Sequence, residues 1–359
     1  MNIRYGKSLK LSSLRIGNKL VGEKHPCYII AEIGSNFDGS LIKAKKLIKL
    51  AKQAGADCAK FQSFLTKELL SPTGFKDKIT FQAKWKKSVW NIYEDAELPR
   101  KWHKDLSRYA DTLGIHFMFT PYDYAAVDIL EENKTPAYKI GSGDITYLDF
   151  LKYIARKRKT ILLPTGASTI TEIRKAINII KKEGNNKIIL LQSVTQYPTP
   201  IDEANINAMV TLKKKFHYDV GYSDHSPGIL IPIASVALGA CVIEKHFTDN
   251  PKNLGPDHPH SLDPTNFSDM VKKIRDLEKA LGDGIKKVEK SEKHTRIIQR
   301  RSVYTIKKIK KGERFDHNNI KCLRPAIGVS ASKFNLILKK RAKKDLVPYL
   351  PLKENRDYN

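Results

Sequence analysis

Short apolar runs alternate with longer amphipathic stretches along most of the chain. The runs are rich in Ile, Val, Leu and Phe, as buried strands are, whereas the stretches between them carry apolar residues at helical spacing. Because each run is followed by such a stretch, the order predicts parallel strands joined by helices. The eight runs lie at residues 28–33, 58–64, 115–123, 137–144, 160–166 and 188–195, around Val220, and at 241–243.

Eight strand–helix pairs favour an α/β fold of the (β/α)8 type, the TIM barrel. The alternative is an open doubly wound sheet, which usually has fewer strands and a glycine-rich phosphate loop after its first strand. After its first run this chain has EIGSNFDG, with only two glycines and an acid in that place. The barrel is therefore the prediction.

Two segments stand outside this alternation. Residues 9–23 predict a small hairpin with Gly17-Asn18 as its turn. The insertion 65–99 is too long for an idle connection and is a candidate lid. Its aromatic cluster is interpreted as packing and not as a sugar platform; the members are Trp85, Trp90 and Tyr93.

The pattern also divides the chain into domains. The last barrel helix is predicted at 264–281 and is followed by Gly282-Asp-Gly. We expect the barrel with its hairpin at 1–284, a charged linker at 285–301 and a small second domain at 302–359. So small a domain has little core of its own, and it is expected to dock on the barrel or on a partner subunit.

The balance of charged residues and the cysteines indicate which partners and which compartment the protein has. The 359 residues carry 65 basic and 38 acidic side chains, a formal charge of +27. The basic residues are spread over predicted helix faces, which favours a solvated surface with a smaller subset at an anionic site and no nucleic-acid partner. The four cysteines form no CxxC pair, so buried free thiols in a cytoplasmic, reducing compartment are expected. A secretory signal and a membrane-spanning run are not expected.

Two histidines mark the ends of consecutive strands. His225 follows the run around Val220, His246 follows the run at 241–243, and an apolar helix-length segment separates them. Adjacent parallel strands present their carboxyl ends side by side, so both imidazoles can reach one metal ion. The alternative is two unrelated, hydrogen-bonded histidines. His258 and His260, in a later loop, are interpreted as mostly solvated.

Other polar residues recur at the predicted strand ends, where barrel active sites are built. Two lysines with several hydroxyls form a natural cradle for a phosphate or carboxylate, although such lysines also form Schiff bases in metal-free aldolases. The carboxylates of Glu32, Asp144 and Asp257 could handle protons or sugar hydroxyls. These features indicate a metal-assisted reaction on a small, phosphorylated, oxygen-rich substrate. The strand-end residues are Glu32, Asn36, Lys60, Gln62, Asp123, Lys139, Ser142, Asp144, Thr165, Thr195, Ser223, Asp224, His225, Glu244 and His246.

A set of ordered motifs resembles the sialic acid synthase family over essentially the whole chain. The motifs are AEIGSNFDGS, AKFQ, YKIGSGD, LPTGAS, QYPTP, GYSDHS, IEKHFT and GPDH. This family condenses phosphoenolpyruvate with an N-acetylated amino sugar to make nine-carbon nonulosonic acids. The tail, including Arg324-Pro325, is similar to the antifreeze-like (SAF) domain of these synthases.

The resemblance implies roles for individual residues. It implies a divalent ion, Mn²⁺ with Mg²⁺ or Co²⁺ as alternatives, held by His225 and His246. It implies that Glu32 or Asp144 orients the attacking water, and that Arg324 reaches the partner's barrel in a domain-swapped homodimer. The implied phosphoenolpyruvate ligands are Lys60, Lys139, Ser142, Thr165, Thr195 and Ser223, and the implied sugar ligands are Gln62, Tyr197, Asp257 and Arg324.

Several positions depart from the family pattern near the substrate pocket. Phe37 stands where many members have histidine, Asp144 where some have glutamate, and Thr195 where some have asparagine; Gln192-Ser193 replaces a His-Cys type pair. These departures put the identity of the sugar in question. N-acetylmannosamine is the default, and a 2,4-diacetamido sugar that gives legionaminic or pseudaminic acid is the alternative.

Two further classes of protein serve as alternatives. A Schiff-base aldolase or lyase on the same barrel would survive chelation and be trapped by borohydride on Lys60 or Lys139. A basic protein that binds nucleic acid or acidic polysaccharide would show salt-sensitive retention without turnover.

Overall fold

A computed structural model describes residues 13–75, 82–83 and 85–358 of the chain. The chain divides into two compact units, residues 1–282 and 283–359, each of which is described by itself.

A short hairpin opens the described chain. Strands β1 (Leu14–Ile16) and β2 (Lys19–Val21) pair antiparallel, with Ile16 opposite Lys19. The turn is therefore Gly17-Asn18, as predicted, and Gly17 takes the positive φ of +58° that glycine tolerates best. Ile16 and Val21 are fully buried in the apolar cluster at the base of the barrel. Residues 9–12 of the predicted hairpin lie outside the described part.

Eight parallel strands follow, one at each predicted run. The last strand, β10, pairs with the first, β3, as a closed barrel requires and an open sheet does not. The run at 137–144 contributes only two strand residues, because the chain turns at Ser142–Thr146 into a 3-10 helix. The strands are β3 (Tyr28–Glu32), β4 (Cys58–Ser63), β5 (His116–Pro121), β6 (Tyr138–Lys139), β7 (Ile161–Pro164), β8 (Ile188–Ser193), β9 (Asp219–Asp224) and β10 (Val242–His246).

Helices cover the outer face of this sheet. Their apolar sides pack on the outward-facing strand residues, and Leu47, Ile154 and Phe267 are completely buried there. Ser40 caps the first helix by accepting the Lys43 N–H. The helices are α1 (Leu41–Gln53), α2 (Thr66–Leu69), α3 (Val89–Ala96), α4 (His103–Leu113), α5 (Tyr124–Glu132), α6 (Leu148–Ala155), α7 (Ile170–Lys182), α8 (Ile206–Phe216), α9 (Leu230–Ala237) and α10 (Pro264–Leu281).

The barrel interior changes character along its axis. At the amino-terminal ends of the strands it is filled by apolar side chains such as Ile30, Leu162 and Val242. Side chains alternate along a strand, so the next inward position lies two residues further on. On β3 and β10 those positions hold Glu32 and Glu244, which places charged groups at the carboxyl ends of the strands.

The second unit has its own small core, in which Val303, Phe315 and Leu352 are almost fully buried. Strands β11 (Ser302–Thr305) and β12 (Ile320–Leu323) pair antiparallel. The segment predicted as a linker contains the helix α11 (Glu292–Gln299), and the helix α12 is Phe334–Ile337. In the described part of the chain, no helix combines the length and apolar composition needed to cross a bilayer.

Candidate active site

Four charged side chains meet inside the mouth of the barrel. The Lys60 Nζ lies 2.5 Å from Glu32 Oε2 and 3.7 Å from Glu244 Oε2, and it donates to Thr120 Oγ1 at 2.9 Å. The Lys139 Nζ lies 3.0 Å from Glu244 Oε1. All four groups are at most 5% exposed. The two predicted lysines therefore lie close together, and their ammonium groups are shared with two carboxylates.

The four charges set one another's pKa values. Burial raises the pKa of Glu32 despite the nearby Lys60 ammonium. Burial would also raise the pKa of Glu244, but Lys139 and Lys60 together hold it below its ordinary value. Burial lowers the pKa of Lys139. It acts in the same direction on Lys60, where the two carboxylates outweigh it and raise the pKa. Glu244 is therefore the ionised carboxylate that both lysines share at neutral pH.

The predicted hydroxyl ligands line the same mouth. A Cβ added at Gly166 would lie 2.3 Å from Thr195 Oγ1 and 3.0 Å from Ser142 Oγ, so these two hydroxyls converge on a glycine backbone. The Ser223 Oγ donates to Glu244 Oε1 at 2.9 Å. The Thr165 hydroxyl donates to the Leu191 carbonyl at 3.2 Å. Ser223 thus contacts the carboxylate that the lysines share, and Ser142 and Thr195 meet beside Gly166.

The two predicted metal ligands face each other. The ring centroids of His225 and His246 are 5.5 Å apart. With metal–nitrogen bonds of about 2.1 Å, two rings on one ion have centroids up to about 6 Å apart, so the spacing fits a shared ion. His225 Nδ1 donates to the Val194 carbonyl at 2.8 Å, which leaves Nε2 with its lone pair. His246 Nδ1 is buried and has no hydrogen-bond partner in the described part of the chain.

Burial keeps both rings neutral. It lowers the pKa of His225 to about 3 and that of His246 well below its ordinary value. A neutral imidazole is the form that binds a metal. The donor set and its protonation therefore fit a divalent transition ion.

A buried ion pair fixes the loop that carries His225. The Lys245 Nζ lies 2.6 Å from Asp224 Oδ2, and both side chains are at most 1% exposed. The other oxygen of Asp224 accepts the Ser226 N–H at 3.0 Å. The backbone on either side of His225 is therefore held in place.

The remaining carboxylates differ in their contacts. Glu32 Oε1 accepts from Gln62 Nε2 at 2.9 Å. Asp257 Oδ2 accepts from the Ser35 N–H and Oγ, both at 2.9 Å. Asp144 Oδ2 is buried without a hydrogen-bond partner among the described residues, and burial raises the pKa of Asp144 to about 6. The charge of Asp144 therefore changes just below neutral pH.

A cavity of about 400 Å³ opens beside His246. Three of the predicted sugar ligands, Gln62, Tyr197 and Asp257, line it. Trp85 and Tyr93 pack on one another with ring centroids 6.4 Å apart, but they also line the cavity, which the interpretation as packing alone did not predict. The insertion therefore supplies one wall of the cavity. The remaining lining residues are Ser35, Phe64, Ile92, Ala96, Tyr122, Pro198, Gly255, Pro256, Pro259 and His260.

The predicted exposure of the loop histidines is wrong. His258 is fully buried and bonds to Thr248 Oγ1 at 2.6 Å and Asp38 Oδ1 at 2.9 Å. The side chain of His260 is only 6% exposed, and its ring centroid lies 4.7 Å from that of His246. The loop folds over the mouth of the barrel, and its sequence has no periodicity that would reveal this.

Glu244 stands at a strand end, but the sequence alone indicated no role for it. The alternation along β10 was the available signal, since Glu244 is two residues before His246 and shares its face. Arg324 belongs to the second unit, where it is an exposed residue directly after β12.

Comparison with known proteins defines the family. The NeuB family matches residues 47–286 and the SAF domain matches residues 300–354. An N,N'-diacetyllegionaminic acid synthase of Campylobacter jejuni is 45% identical over 88% of this chain and 96% of its own. A pseudaminic acid synthase of the same species is 37% identical over 93% of this chain and 96% of its own. The crystal structure of an N-acetylneuraminic acid synthetase from Leptospira borgpetersenii, with citrate, has a TM-score of 0.70 at 34% identity and covers 79% of this chain and 95% of its own. The chain therefore belongs to the NeuB family and carries a SAF domain, which confirms its resemblance to the sialic acid synthases.

Proposed function

We propose that this protein is a nonulosonic acid synthase. It would condense phosphoenolpyruvate, an N-acetylated amino sugar and water into a nine-carbon acid and phosphate. The observation that carries the proposal is the meeting of a buried lysine pair and a neutral imidazole pair at the mouth of one barrel. Its relatives are synthases of legionaminic and pseudaminic acid, which supports the same reaction class.

Phosphoenolpyruvate would bind at the lysine pair. Its phosphate and carboxylate bring negative charge, for which Lys60 and Lys139 supply the counter-charge. The hydroxyls of Ser142 and Thr195 add donors where Gly166 leaves space, since a Cβ there would collide with Thr195. Thr165 and Ser223 complete the proposed set.

The sugar would bind in the adjoining cavity. A divalent ion at His225 and His246, Mn²⁺ in our proposal with Mg²⁺ or Co²⁺ as alternatives, would supply Lewis-acid polarisation of the sugar aldehyde. Gln62, Tyr197 and Asp257 line the cavity and would orient the sugar hydroxyls and the acetamido group. Holding two substrates side by side is expected to provide several kcal/mol of the rate enhancement.

The proposed bond changes balance as follows. The methylene carbon of phosphoenolpyruvate bonds to the aldehyde carbon, and the aldehyde oxygen takes up a proton. Water adds to C2 of the former phosphoenolpyruvate, and the C–O bond to phosphate then breaks. Asp144 or Glu32 would orient that water and accept its proton. With a pKa of about 6, Asp144 would be mostly ionised at neutral pH and able to do so.

The cavity lining favours a sugar with a second acetamido group. Phe64, Trp85, Ile92, Tyr93 and Ala96 form an apolar and aromatic wall. Covering an acetamido methyl with such a wall favours binding because apolar surface leaves water. Burying a hydroxyl that has no hydrogen-bond partner there costs binding free energy. We therefore propose a 2,4-diacetamido sugar in preference to N-acetylmannosamine.

Phosphate release tests the proposal. The purified protein is incubated with phosphoenolpyruvate, Mn²⁺ and a panel containing N-acetylmannosamine and 2,4-diacetamido sugars. We expect release only with sugar present, loss of release with EDTA, and bridging ¹⁸O recovered in phosphate because the C–O bond breaks. Turnover that survives EDTA, with borohydride trapping of pyruvate on Lys60 or Lys139, would replace this proposal with the Schiff-base reaction.

The second unit has a proposed role in trans. We propose a homodimer in the cytoplasm in which Arg324 reaches the acetamido group bound in the partner's barrel. Arg324→Ala should then raise KM for the sugar and leave KM for phosphoenolpyruvate unchanged. Mixing it with a His246→Ala chain should restore about one competent site per heterodimer if the arginine acts across subunits.

A further inference from the structure

A third histidine lies beside the proposed metal pair. The His260 ring centroid is 4.7 Å from that of His246, and Tyr197 packs against both rings and against His225. His260 Nε2 is buried and has no hydrogen-bond partner in the described part of the chain, as is also true of His246 Nδ1. Two neighbouring rings thus each carry a buried nitrogen that is available to a cation.

A carboxylate completes this space. Asp257 Oδ1 lies 3.8 Å from His260 Nε2, and donor atoms of His246, Asp257 and His260 all fall within 4.8 Å of one another. Around one ion with bonds of about 2.1 Å, donor atoms are about 3.0 to 4.2 Å apart, so a small contraction suffices for these three groups. His225 lies outside the group, and its ring has to move closer to share the same ion. Ser35 already holds Asp257 Oδ2, which leaves Oδ1 turned towards His260.

We propose that His260 is a third imidazole ligand of the divalent ion that His225 and His246 hold. This inference rests on the proposed function and adds a ligand from the loop over the mouth. Imidazole nitrogen suits transition ions better than Mg²⁺, so a third ring should raise the preference over Mg²⁺ strongly for Co²⁺ and to a smaller extent for Mn²⁺.

Metal affinity of the full-length protein provides the first test. After chelation, Mn²⁺ is titrated into wild type, His260→Ala and the control His294→Ala, which changes an exposed histidine of α11. We expect Kd to rise at least about tenfold in His260→Ala alone, with a smaller preference for Mn²⁺ over Mg²⁺. An unchanged Kd would overturn the inference, including the case in which only KM for the sugar rises.

A gain-of-signal variant covers the case in which His260→Ala folds poorly. In His260→Cys a thiolate takes the place of the ring, and Co²⁺ bound to a thiolate gives a charge-transfer absorption band. We expect that band in His260→Cys and its absence in wild type and in His294→Cys. Its absence from a folded, cobalt-loaded His260→Cys would contradict ligation at this position.

The two proposals fail separately. If wild type binds none of these ions, the metal in the proposed function is wrong and this inference falls with it. If wild type binds Mn²⁺ and His246→Ala does not, while His260→Ala binds as wild type does, only the third ligand is wrong.

Discussion

The two ends of the barrel interior are built from the same strands and differ in almost everything else. On β3 the inward side chains run from Ile30 to Glu32, and on β10 they run from Val242 to Glu244. The base is a closed apolar cluster, whereas the mouth buries two lysines, two glutamates and an imidazole pair. A shift of two residues along a strand thus separates the part that stabilises the barrel from the part that we propose carries out its chemistry.

The difference shows where stability is given up for function. Apolar groups at the base contribute by leaving water. Buried charges at the mouth lose hydration, and their mutual attraction often does no more than offset that loss. Glu244 is shared between Lys60 and Lys139, and in the proposed reaction an anionic substrate would compete with it for the lysines.

Removal of an imidazole at the mouth should have the largest effect. His246→Ala is expected to lower phosphate release about 10³-fold or more, because several kcal/mol of electrostatic stabilisation goes with the ion. His294→Ala serves as the control and should behave as wild type. An active His246→Ala protein without bound metal would refute the site.

Removal of a charged side chain at the mouth should have the second-largest effect. Lys60→Met leaves Glu32 and Glu244 buried without one of their partners and should cost about 3–5 kcal/mol of unfolding free energy, measured in urea. Lys60→Met combined with Glu32→Gln should recover part of that loss, since one of the two carboxylates is then neutral. No recovery would show that the loss comes from packing.

The pH profile should separate the two candidate bases. Burial raises the pKa of Asp144 to about 6, so below that pH the carboxyl holds a proton and cannot accept one from water. We expect the rate to fall as the pH drops through about 6, and Asp144→Asn to lower it about 10²-fold at neutral pH and to remove this limb. If the limb persists in Asp144→Asn, Glu32 becomes the candidate base.

A substitution in the apolar cluster at the base of the barrel interior should have the smallest effect. Ile189 is fully buried in the basal cluster, and Ile189→Val should cost about 0.5–1.5 kcal/mol of unfolding free energy. The rate per folded molecule should be unchanged. A clear drop in that rate would mean that the base and the mouth are coupled.

Much of the fold could be predicted because its signals are local. Apolar runs marked the strands, and α10 begins at Pro264 and ends at Leu281, the bounds that the pattern predicted. The Gly17-Asn18 turn and the Ser40 cap depend on neighbours only a few residues away. The run predicted at residues 137–144 extends past Lys139, but the strand ends there and a 3-10 helix begins at Ser142.

The strand-end rule predicted where the site lies but not how its groups interact. It gave the positions of Lys60, Lys139, His225 and His246 without showing that each lysine has a carboxylate beside it. It misplaced His260, because a loop residue carries no periodic signal that distinguishes a solvated ring from a buried one.

The sequence alone determined the barrel, the order of its strands and the set of polar residues at their ends, since these follow from local periodicity and from the geometry of parallel strands. Only the tertiary structure decided which of these groups touch. Glu244 reaches Lys60 and Lys139 across the barrel, and the loop with Asp257 and His260 folds back onto His246. Such contacts join segments far apart in the chain, and they depend on how the closed barrel packs.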